Sequence, residues 1–174
     1  MGRFSEAQIN WAPFRPCLPG EKAPYPRSLQ TPEGLGDRLR FVAFAEKQAM
    51  EAFRLAARAF EDCTEIQRSS WLRLADEEAK HLSWLLNRME ELGVEAGERS
   101  QSLALWNSFD RCENANQFAL FMANAEERGR IAGEQFFETL KSTDPVTAEI
   151  FRKIAEEEVE HIRIAEEGIP RISS

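Results

Sequence analysis

Apolar residues recur along this chain at steps of three and four, the spacing that puts them on one face of a helix, and four such stripes cover most of its length. The first runs from about Asp37 to Phe60, with Val42, Glu46, Ala49, Phe53 and Phe60 in line. The second runs from about Glu65 to Leu92 through Trp71, Leu74, Glu78, His81 and Leu85, and Gly93 is placed to stop it. The third runs from about Asn116 to Leu140 through Ala119, Met122, Glu126, Gly133 and Phe137. The fourth opens on Asp144-Pro145, a capping residue followed by proline at the first helical position. It carries Phe151, Ile154, Glu158, His161 and Ala165 before Gly168 and Pro170. Nothing alternates as a strand would. The predicted fold class is all-α: an antiparallel four-helix bundle with one long crossover, from about Gly93 to Ala115. The stretch Leu103 to Phe109 within the crossover is a candidate short helix.

Residues 1 to about 36 break this pattern. Pro13, Pro16, Pro19, Pro24, Pro26 and Pro32 forbid a long helix there. Trp11 and Phe14 are too apolar to leave in water at no cost, so an extended Pro-rich N-terminal arm laid across the bundle is expected rather than a free tail. The expected organisation is therefore an arm over 1–36, the bundle over 37–168, and a short tail over 169–174.

Composition fits one soluble domain: 174 residues, 43% hydrophobic and 30% charged. The net charge of −8 is a poor footprint for nucleic acid or an anionic membrane. Cys17, Cys63 and Cys112 form no C-x-x-C pair, so free thiols in a reducing compartment are expected, without a rubredoxin-like or zinc-ribbon module. The first residues show no secretory h-region, Glu6 breaks a myristoylation pattern after Gly2, and no apolar run approaches membrane-spanning length. The expected location is the cytoplasm.

The chemistry lies in four positions where carboxylates interrupt the apolar stripes. The chain's two histidines each follow a glutamate by three residues, in Glu78-x-x-His81 and Glu158-x-x-His161. Positions i and i+3 share a helix face, so each pair can hold one metal ion. A buried carboxylate is costly unless paired or metal-bound, and neither stripe offers a Lys or Arg. Glu46 and Glu126 occupy matching inward positions on the first and third helices. The register is regular: 78−46 and 158−126 are both 32, while 126−46, 158−78 and 161−81 are all 80. The chain thus reads as two helix pairs, each carrying Glu…Glu-x-x-His.

Glu51, Glu127 and Glu134 are rivals for the single-glutamate places. Glu77 and Glu157 are candidates to hold the ligating histidines from behind, or else surface glutamates. Trp71, Trp84 and Trp106 read as core. Gly129 and Gly133 either leave room for a substrate or let helices pack closely.

One glutamate from each of two helices and Glu-x-x-His from each of the other two is the di-metal carboxylate pattern of ferritin-like proteins. The chain resembles that superfamily, which includes bacterioferritins, rubrerythrins and bacterial di-iron hydroxylases of modified tRNA. It resembles in particular an uncharacterised bacterial ferritin-like branch, a domain of unknown function. The resemblance lies in Trp71-Leu72-Arg73-Leu74-Ala75 leading into Glu77-Glu78-Ala79-Lys80-His81, in Glu126-Glu127-Arg128-Gly129, in Glu157-Glu158-Val159-Glu160-His161, in the proline-rich arm and in Leu105-Trp106. That branch often has a histidine just before its helix-one glutamate, where this chain has Phe44.

The resemblance implies metal ligands Glu46, Glu78, His81, Glu126, Glu158 and His161 around two iron ions, with manganese, mixed manganese and iron, or zinc as tolerated occupants. The function expected first is activation of O2 to oxidise or oxygenate a small substrate, with an electron donor and a homodimer allowed. Iron oxidation and storage or peroxide reduction is one alternative, and a non-catalytic metal-binding protein is another. A ribonucleotide reductase radical subunit is disfavoured, because the only tyrosine, Tyr25, lies in the arm. A tRNA substrate is disfavoured by the acidic balance.

Overall fold

The computed structural model describes residues 9–166. The expected ends of the arm (1–8) and of the bundle (167–168), and the 169–174 tail, lie outside the described residues. Among those described there are five helices and no strand: α1 (Pro32–Ala59), α2 (Glu65–Glu91), α3 (Ala104–Phe109), α4 (Ala115–Leu140) and α5 (Pro145–Ala165).

Local chemistry sets their ends. α1 starts five residues earlier than its stripe predicts. Thr31 caps it, its Oγ1 accepting from Gly34 N at 3.1 Å, and Pro32 takes the first helical position, where a missing N–H costs nothing. Gly34 must lack a side chain, because a Cβ there would collide with Ser28 O. Thr64 and Gln67 form a capping box on α2: Gln67 N donates to Thr64 Oγ1 at 3.2 Å and Thr64 N to Gln67 Oε1 at 3.0 Å. Gly93, at φ 66°, ends α2 with paired bonds, Val94 N to Met89 O at 2.8 Å and Gly93 N to Glu90 O at 3.0 Å. Asn114 caps α4 and Asp144 caps α5.

The described chain falls into two compact units, one of 9–51 with 77–111 and the other of 52–76 with 112–166. In the first, residues 9–31 run without helix. Trp11 and Phe14 are buried there against Phe44 of α1, at centroid separations of 5.6 and 5.2 Å, and Trp11 also meets Trp106 of α3 at 5.1 Å. Cys17 N donates to Gln101 O at 2.8 Å and Gln101 N to Arg15 O at 2.9 Å. In the second unit, Phe53, Phe60, Trp71 and Phe118 form an aromatic core, and α4 packs along α5.

Candidate metal centre

All six stripe-interrupting residues are buried: Glu46, Glu78 and His81 in the first unit, Glu126, Glu158 and His161 in the second. Helical spacing explains this, since each lies in line with residues that must leave water. Both imidazoles turn Nδ1 toward a carboxylate. His81 Nδ1 is 3.6 Å from Glu46 Oε2, and His161 Nδ1 is 3.4 Å from Glu158 Oε2.

Glu78, His81, Glu158 and His161 form one buried group in which each offers a ligand atom, and those atoms lie within 4.8 Å of one another. Glu46 adjoins this group through His81; Glu126 is buried on α4 but is not a member of it. Glu77, Glu157 and His161 meet the same distance with their two carboxylates half-buried, and Glu77 also engages Lys80.

Two carboxylates and two imidazoles held out of water suit a divalent cation, whose charge offsets the cost of burying the carboxylates. The protein offers little else for that purpose. Among the described residues the only fully buried Lys or Arg is Arg40, and it is engaged by Asp37 and Glu98. The group could hold a metal ion.

The rival glutamates are occupied elsewhere. Glu51 pairs with Lys47 at 2.6 Å, and Arg130 holds Glu127 at 2.7 Å and Glu134 at 2.5 Å. The Arg130 hydrogen bonds keep the Glu127 carboxyl below the usual carboxylate range. Gly133 serves close packing, because a Cβ there would sit 3.1 Å from Ala155 Cβ and 3.2 Å from Phe151 O, while Gly129 is exposed with nothing near it. Trp71 and Trp106 are fully buried, whereas Trp84 is half-exposed, with its ring beside His81 and Lys80 Nζ over it. Phe44 is fully buried, with the rings of Trp11 and Phe14 against it. The three cysteines are free, and burial pushes the Cys63 and Cys112 thiols up.

Two features of the first unit carry no signal in the periodicity. Asp37 gathers Arg27, Arg40 and Arg99: Arg27 Nη2 reaches Oδ1 at 2.7 Å, Arg40 Nη1 reaches Oδ1 at 2.9 Å, and Arg99 Nη1 engages Oδ2. Gln48, also buried, accepts from Trp106 N at 3.0 Å and donates to Ser102 O at 3.2 Å. The i,i+3 spacing of Asp37 and Arg40 was the only visible hint of the first, and Gln48 gave none.

No helix among the described residues is long and apolar enough to cross a membrane. Comparison with the curated proteins and with the solved structures returned no match. Residues 6–167 match a family model described as "Protein of unknown function (DUF455)", and over that length the chain belongs to this family.

Proposed function

We propose that α1, α2, α4 and α5 make a ferritin-like antiparallel four-helix bundle with α3 in its crossover, and that the protein is a di-iron carboxylate oxidase or oxygenase acting on a small substrate. The observation that carries this reading is the buried group of Glu78, His81, Glu158 and His161, with ligand atoms within 4.8 Å of one another. The 80-residue correspondence supports it, because Glu46 and Glu126 stand in the same register and are buried with the others.

Glu46, Glu78, Glu126 and Glu158 would supply four negative charges, enough to neutralise two divalent ions. Glu78 and Glu158, each on one helix with a histidine, and Glu46 and Glu126, each alone on its helix, would hold the ions. His81 and His161 would each give an uncharged donor through Nδ1, the atom that already faces a carboxylate. When bound, a pair of ferrous ions supplies electrons for the reduction of O2 and with them the oxidising power of the reaction. The protein's own part is to exclude water. Burial of all six ligands keeps solvent from competing for them and strengthens their electrostatic hold on a cation. Iron is favoured over zinc as the native occupant by the carboxylate-rich donor set.

The test is metal content, then an anaerobic Fe(II) titration followed by O2, read by absorbance and by sizing. About two irons per chain in a small oligomer, with turnover of O2, is the expected outcome. Uptake far beyond two per chain in a large cage would turn the reading to storage. Glu158→Ala should lose at least one metal equivalent and Glu127→Ala should lose none; equal content in the two variants would sink the ligand assignment.

A further inference from the structure

Glu46 and Gln48 lie on opposite sides of α1. Phe44 and Gln48 are four residues apart on α1 and share a face, while Glu46, two residues from each, points roughly 200° away around the helix. On its own side Glu46 approaches His81 at 3.6 Å. On the far side Phe44 is pressed against Trp11 and Phe14, and Gln48 reaches the crossover.

The Gln48 contacts are specific. The first turn of α3 begins with orphan N–H groups, and its N-cap position, Leu103, gives no side-chain hydrogen bond. Gln48 Oε1 accepts from Trp106 N at 3.0 Å in place of that cap. Its Nε2 donates to Ser102 O at 3.2 Å and to Phe44 O at 3.4 Å. One buried amide from α1 therefore satisfies both a carbonyl before α3 and an amide within it. A buried amide left unsatisfied is costly, so α1 cannot turn about its axis without breaking these bonds. Any such turn would also swing Glu46 away from His81.

We propose that Gln48 is a positioning residue for Glu46: by pinning the crossover to the back of α1, it fixes the rotation of the helix that holds the Glu46 carboxylate against His81. The inference rests on the metal-centre reading above. It predicts that Gln48 governs the metal equivalent bound by Glu46 and His81 and leaves the other equivalent alone.

The test is a Co(II) titration of the full chain under anaerobic conditions, following the d–d absorbance, with thermal melts run beside it. Gln48→Met keeps most of the side-chain volume and removes the hydrogen bonds. Gln67→Met is the control, because Gln67 is an equally buried amide that caps α2 in the other unit. Wild type should bind two equivalents. Gln48→Met should bind one as wild type does and the other about tenfold or more weakly, the scale seen when a group that orients a ligand is lost. Gln67→Met should bind both. Gln48→Glu keeps the acceptor facing Trp106 N but replaces the donor toward Ser102 O and Phe44 O with a second acceptor, and should not recover the lost affinity. Two unchanged equivalents in Gln48→Met would overturn the inference. Parallel weakening of both equivalents in the two methionine variants would overturn it too, since that is a general loss of stability. A wild-type chain that binds no cobalt would remove the metal centre itself, and this inference with it.

Discussion

Gly129 and Gly133 stand one turn apart on α4, and a methyl group added to each should act in opposite directions. At Gly133 the new Cβ would lie 3.1 Å from Ala155 Cβ and 3.2 Å from Phe151 O, so the α4–α5 packing must yield. Gly133→Ala should cost about 1–3 kcal/mol, the range for overpacking a close contact. At Gly129 nothing lies within 4 Å, and the position is an exposed helix interior. Gly129→Ala should stabilise by about 0.5–1 kcal/mol through lost freedom of the unfolded chain. Urea unfolding midpoints of the two variants against wild type would check both; a shift of the same sign in each would contradict the geometry. Sequence spacing could not separate these glycines, because both fall in a helix and only the neighbouring helix distinguishes them.

At the scale of the element, helix ends were the most legible part of the chain. Asp144 before Pro145 and Gly93 after a long stripe are read directly from residue type, and the structure places a cap and a left-handed stop there. Asp144→Ala removes the acceptor for Thr147 N, a bond of 3.1 Å, and should cost about 1 kcal/mol, measurable as a lower thermal midpoint with helix content retained. The start of α1 was missed for a reason of the same kind. Pro32 resembles the five prolines before it, and only its position directly after Thr31 makes it a first helical residue. The arm itself followed from Trp11 and Phe14 being too apolar to expose, but its docking site on Phe44 and Trp106 lies at least thirty and more than ninety residues away in sequence.

Within the first unit, Asp37 ties three segments together: Arg27 from residues 9–31, Arg40 from α1 and Arg99 from the connection after α2. Burial pushes its carboxyl up, but the bonds from the Arg27 side chain and backbone, with the charge of Arg99, outweigh that and hold it at about 2. Its ordinary value is 3.8, so the folded form binds its proton less readily than the unfolded form. The stabilisation is therefore complete above pH 3.8 and is lost as pH falls from there through about 2. Asp37→Asn should be less stable than wild type at neutral pH, and the gap between their urea midpoints should close across that acid window. A gap that stays constant down to pH 2.5 would show that Asp37 carries no such linkage.

Over the whole molecule, the sequence by itself determined the helices, their approximate limits and the burial of six ligand-type residues. Periodicity of 3.6 is a local property, and a glutamate or histidine on an apolar stripe must follow its neighbours inward. It also singled out Glu78, His81, Glu158 and His161, through the 80-residue correspondence that pairs them. What only the tertiary structure decided is which groups meet across long sequence gaps. Glu78, His81, Glu158 and His161 come within 4.8 Å of one another, Gln48 caps a helix 58 residues away, and Phe44 takes the arm's aromatics. Such meetings depend on helix rotation and on the path of the connections, which are set by the packing of the chain as a whole rather than by the pattern along any one segment.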